Sequence, residues 1–161
     1  MVRGVIRAAA LVLLVAATVA AAGCGGGGDS PDEDPGEFAA TLLRQLDRGD
    51  AAKAWDELHP LHQETVSRSR YVSCERGDPI QGTVTKVDVV DVKKEPARVP
   101  GRGSDETSTA VELRYRLTLP GGASQSNDLV VHLFPVDGRW AWVIGPSDFA
   151  AYAAGRCPEV G

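Results

Sequence analysis

The first two dozen residues constrain this chain more than any other stretch. Arg3 and Arg7 precede an apolar run over residues 8–22, and Gly23-Cys24 follows. A basic start, a short apolar centre and a zone of small residues is the composition of an export signal that is later removed. The run falls short of the roughly 20 residues that a helix needs to span a bilayer, so it reads as a leader rather than a membrane helix. What folds is the remainder, outside the cytoplasm, where disulfides persist. The chain has three cysteines, Cys24, Cys74 and Cys157.

The run of small residues directly before Cys24 resembles the lipobox of bacterial lipoproteins. The resemblance implies that the Cys24 thiol takes a diacylglyceryl group, that residues 1–23 are cut away, and that the new amino terminus is acylated. It implies a protein held by lipid on the extracytoplasmic face of a cell membrane, with the bilayer as its first partner. Ala21 stands where that pattern favours Leu, and Ala20-Ala21-Ala22 would also serve an ordinary Ala-x-Ala cleavage. One acyl chain binds membranes marginally and stable anchoring takes two signals, which the two or three chains of this modification supply. With Cys24 occupied by lipid, Cys74 and Cys157 are left to form a disulfide; two buried free thiols are the other reading.

Charge narrows the partners. The chain carries 17 basic and 22 acidic residues, a net charge of −5, and two of the arginines lie in the leader. A nucleic-acid binder normally shows a basic stripe, so nucleic acid is excluded. The same acidity gives no attraction to anionic lipid. The length suits one domain, expected over residues 37–161, after a tether over residues 24–36. Residues 25–36 read GGGGDSPDEDPG, which predicts a flexible spacer with a reach of about 18–20 Å. Its acids Asp29, Asp32, Glu33 and Asp34 read as solvation rather than a metal site.

Residues 37–48 predict a helix, with Phe38, Leu42 and Leu46 on one face. Gly49 stops it, and Asp50 is expected to cap a second helix that carries Ala51, Trp55 and Leu58. His59-Pro60 ends that helix, and Pro60 opens a third. Ser69 is expected to cap a short turn that brings Tyr71, Val72 and Cys74 inward.

Residues 81–93 predict a strand whose alternation slips at Val89-Val90, as a bulge there or a strand apolar on both faces would give. Residues 95–106 (EPARVPGRGSDE) read as a long mobile loop. Residues 109–119 alternate, with Val111, Leu113, Tyr115, Leu117 and Leu119 on one face. Residues 128–136 and 139–144 flank Asp137-Gly138, a type I′ hairpin signal. That turn sets Phe134 opposite Ala141, Leu133 opposite Trp142, Pro135 opposite Trp140, His132 opposite Val143 and Val131 opposite Ile144. The face bearing Trp140 and Trp142 is assigned to the core or a cavity. Ser147 is expected to cap a last helix ended by Gly155. The fold class is therefore α+β, with three or four short helices packed on a bent antiparallel sheet of about four strands.

This order of elements resembles the NTF2-like, or cystatin-like α+β roll, superfamily. The pieces that carry the resemblance are the 38–46 helix, Ala51-Ala52-Lys53-Ala54-Trp55, Leu58-His59-Pro60, Tyr71-Val72-Ser73-Cys74 and Gly138-Arg139-Trp140-Ala141-Trp142. The resemblance implies a cone whose open end holds a small apolar ligand, with Trp55, Tyr115, Trp140 and Trp142 as candidate lining. Asp56, His59, His62, Tyr71, Tyr115 and His132 are the raw material for an isomerase-type site. No Ser/His/Asp set, phosphate loop, metal signature or cofactor motif accompanies them, so no catalytic residue, metal or cofactor is assigned. The expected function is non-catalytic binding of a small apolar ligand or an envelope protein, with a protein-interaction or dimerisation domain using the sheet face as the first alternative and an NTF2-like isomerase or cyclase-type enzyme as the second.

Overall fold

The computed structural model describes residues 31–77 and 82–159. Residues 1–30, with the expected leader, Cys24 and the first part of the expected tether, lie outside them. The described residues form five helices and one four-stranded antiparallel sheet of order β1-β2-β3-β4. No helix among them is long and apolar enough to cross a membrane.

Helix α1 (Pro35–Asp47) begins two residues earlier than the periodicity predicts. Asp34 is its N-cap, accepting the Glu37 N–H at 2.9 Å, and Pro35 needs no intrahelical partner for its nitrogen. One of the tether's acids is thus part of the fold. Gly49, at φ +75°, ends the helix in the left-handed region. Three short helices follow: α2 (Ala51–Asp56), α3 (Pro60–Thr65) and α4 (Arg68–Gly77). Asp50 occupies the N-cap of α2 but makes no capping hydrogen bond; its carboxylate turns to Lys53, 3.8 Å away. Ser67, rather than Ser69, caps α4, accepting the Arg70 N–H at 3.4 Å.

Strands β1 (Thr83–Arg98), β2 (Asp105–Thr118), β3 (Ser124–Val136) and β4 (Arg139–Trp142) form a meander, and α5 (Pro146–Ala153) closes the chain. The bulge falls where the sequence put it, between Val89 and Asp91, and a second lies between Val84 and Lys86. Asp137 and Gly138 both take positive φ, +50° and +74°, as a type I′ turn requires. Leu133↔Trp142, Phe134↔Ala141 and Pro135↔Trp140 pair as the turn predicts. His132 and Val131 do not go on to pair with Val143 and Ile144. The chain leaves β3 after Trp142, and on its outer edge β4 is joined by Glu57, Leu58 and His59. Trp142 donates its N–H to Glu57 O at 3.1 Å and accepts the His59 N–H at 2.8 Å. Gly145 and Pro146, not Ser147, start α5, with Pro146 at its first turn.

Residues 95–106 are a hairpin, not a mobile loop. The β1–β2 ladder runs out to Arg98↔Asp105. Its tip folds inward: Val99 is fully buried, and Gly101, at φ +92°, lies so close to α5 that a Cβ there would meet Phe149 at 2.6 Å.

One face of the sheet packs on the helices. Val111, Leu113, Leu133 and Trp142 join Phe38, Leu42, Leu43, Leu58, Tyr71 and Tyr152 in a single core. These side chains occupy the space between helices and sheet. Cys74 and Cys157 are disulfide-bonded, with Cα atoms 5.4 Å apart and a sequence separation of 83. The chain-entropy account gives a closed loop of that size roughly 4.5 kcal/mol. Replacing both cysteines by Ala is expected to lower the unfolding free energy by about that amount in urea titrations, while the untreated and reduced forms of the double variant unfold identically.

Candidate functional site

The sheet splits at one end. Pairing of β2 with β3 stops at Thr109↔Leu133. Beyond it, residues 105–108 of β2 stay with β1, while residues 134–136 of β3 turn to β4. Between these two arms lies a cleft of about 780 Å³. Lys94, Arg102, Glu106, Thr107 and Ser108 wall it from the β1–β2 arm; Phe134, Pro135, Val136 and Trp140 wall it from the β3–β4 arm; His59 and Pro60 complete it.

Several contacts fix these walls. The Trp140 indole donates to the Glu33 carbonyl at 2.8 Å, so the last tether residues end beside the cleft. Arg102 and Glu106 form an ion pair on the opposite arm. His59 Nδ1 accepts the Leu61 N–H at 3.2 Å and its ring stands edge-on to Phe134, with centroids 6.1 Å apart. Burial, then the Arg102 charge, depresses the His59 pKa, and Glu106 opposes them. His59 is a helix cap and a wall.

His62 sits behind the cleft with no exposed surface. Its Nδ1 accepts the Ile144 N–H at 3.2 Å, and its Nε2 lies 3.2 Å from the Pro100 carbonyl. An acceptor at Nδ1 leaves the proton on Nε2, which donates to Pro100. Neither nitrogen has a lone pair left for a metal, so His59 and His62 are not a ligand pair. Among the described residues no group of three or more His, Cys, Asp or Glu is arranged to hold a metal ion.

The remaining candidates scatter. Of the four expected lining residues only Trp140 reaches the cleft. The Trp142 indole donates to Ala54 O at 2.8 Å and the Trp55 indole to Val66 O at 2.9 Å, which turns both into core packing. Tyr115 is half-buried, paired with Val87 and Asn127. Asp56 binds Arg68 through both carboxylate oxygens, at 3.0 and 3.2 Å. Tyr71 is buried against Tyr152, and burial raises its pKa. His132 Nδ1 lies 3.1 Å from Ser108 Oγ and 4.0 Å from Glu95 Oε1. This set looks like a triad in composition only. Both partners address the same nitrogen, and the Ser108 hydroxyl donates to the Glu95 carbonyl at 2.9 Å.

The sequence reading missed Arg102, Glu106, Ser108, Phe134 and Pro135 as cleft residues. The one available signal was the apolar face opposite the tryptophans, where Phe134 lies. No known protein family and no curated protein matches the chain.

The His62 geometry has a pH signature. Burial lowers its pKa from 6.5 to about 4. Above pH 6.5 the imidazole is neutral in both folded and unfolded chains and adds no pH dependence. As the pH falls from 6.5 to 4 the unfolded chain takes up a proton that the fold refuses, so stability drops by about 1.4 kcal/mol per unit, roughly 3 kcal/mol in all. His62→Gln is expected to remove that component: its urea-unfolding free energy will fall less steeply than that of the unsubstituted protein between pH 6.5 and 4.5.

Proposed function

We propose that this chain is an exported, non-catalytic binding module, anchored by lipid at Cys24 to the outer face of a cell membrane, with an NTF2-like domain beyond the tether. The observation that carries the reading is the arrangement of the cysteines. Cys74 and Cys157 satisfy one another, which leaves Cys24, behind its leader and small-residue run, as the thiol available for acylation. A disulfide joining distant parts of the domain suits an oxidising compartment.

The packed interior favours a binding surface outside the core, which makes an envelope protein a better partner than a small apolar molecule. The cleft is the natural place for it, since its lining mixes apolar walls with a few charges. Against enzymatic activity stand the engaged nitrogens of His62, the capping role of His59 and the geometry around His132.

The mature protein recovered from membranes is expected to have the intact mass of residues 24–161 plus diacylglyceryl and an amide-linked acyl chain. Cys24→Ala is expected to leave it uncut or soluble. A membrane-bound protein with an unmodified Cys24 thiol would overturn the anchor.

A second reading, self-association, rests on large apolar residues of the sheet that stay between 38% and 50% exposed, among them Val130 on the face away from the helices and Val89, Val92 and Leu129 on the face of Val111 and Leu113. Sedimentation equilibrium is expected to show a dimer that Val130→Lys dissociates; a monomer at all concentrations removes this reading.

A further inference from the structure

We propose that the cleft between the two hairpin arms takes an extended peptide as an added β-strand, laid along the open edge of β2, with the peptide presented by a protein at the bilayer surface. The proposal deepens the binding-module reading and rests on it.

The edge is the first argument. Residues 105–108 of β2 are paired on one side only, with β1, and residues 106–108 line the cleft on the other. An unpaired edge presents backbone donors and acceptors that an extended segment can satisfy. The opposite wall is not an equal edge, because Pro135 has no N–H to give. It offers instead the Trp140 ring on the face that carries Lys94, a place for an apolar side chain of the incoming strand, and the Phe134 ring on the opposite face for the next one.

Charge is the second argument. Arg102 is matched by Glu106, whereas Lys94 has no ion pair among the described residues. An acidic side chain, two residues from the apolar one at Trp140 and so on the same face of the strand, meets Lys94. The chain's net charge of −5 and the acid at Glu106 disfavour an anionic lipid surface at this place.

Reach is the third. Trp140 holds Glu33 at the rim of the cleft, and Cys24 lies nine residues before it. Whatever path those residues take, their contour is at most about 30 Å. The lipid at Cys24 therefore keeps the cleft close to the headgroups and within range of segments that emerge from the membrane.

The test pans a displayed library of random linear decapeptides against the exported, oxidised chain carrying Cys24→Ser. Enriched sequences should carry adjacent apolar residues with at least one acid two residues from one of them. A synthetic enriched decapeptide should slow amide exchange at residues 105–108, and Lys94→Glu, an exposed position, should weaken it at least tenfold with an unchanged melting temperature. Vesicles of phosphatidylglycerol should leave the same protein unbound. No enrichment, enriched peptides indifferent to Lys94→Glu and to the β2 edge, or vesicle binding lost on Lys94→Glu would each overturn the proposal, the last in favour of lipid. Because Cys24 is replaced, a failure here is separate from a failure of acylation, which the intact mass reads.

Discussion

One imidazole holds together stretches that are far apart along the chain. His62 belongs to α3, accepts a hydrogen from the backbone that leaves β4, and gives one to the tip of the β1–β2 hairpin. A fully buried polar ring needs both nitrogens matched, since leaving one bare costs about as much as a typical hydrogen bond or more. The two bonds therefore act as constraints. The bond to Pro100 pulls the hairpin tip under α5, where Val99 disappears from solvent and Gly101 fits against Phe149. The bond from Ile144 holds the chain two residues past the end of β4, where it has turned away from β3. Both arms of the cleft thus take their positions from the same ring.

What could be read from the sequence follows from how local each cause is. The Asp137-Gly138 turn needs two positive φ values, which few residue pairs supply, so its register was legible to the residue. The alternation over 109–117 and the slip at Val89-Val90 were equally plain, because a pleated strand repeats every two residues. Residues 95–106 were misread because Pro96, Pro100, Gly101 and Gly103 dominate their local propensity. What pairs and buries them is the ladder to residues 105–108 and the pocket made by His62, Leu61 and Phe149, all distant in sequence. The caps failed in a related way. Asp50 and Ser69 are suitable residue types, but Lys53 draws the carboxylate away and Ser67 stands closer to the free N–H groups of α4.

The candidate site was less legible than the fold for a specific reason. Tryptophans in a strand pattern signal large buried rings, but not whether the rings meet each other or a ligand. Here the indole N–H groups of Trp55 and Trp142 find backbone carbonyls inside the domain. With those partners made, the rings fill volume that a hollow cone would leave open. The cleft arises elsewhere, from the divergence of two hairpins, and no periodicity within a single strand announces where neighbouring strands will part.

The bond between Cys74 and Cys157 also has a mechanical meaning. A pull on the last residues of the chain is transmitted through sulfur to the end of α4 and bypasses α5 and all four strands. At the other end of the domain the Asp34 cap fastens the chain to α1 and the Trp140 bond to Glu33 fastens it to β4. The shortest covalent route from Glu33 to Cys157 therefore runs through α1 to α4 and the disulfide, and leaves α5 and the four strands outside it.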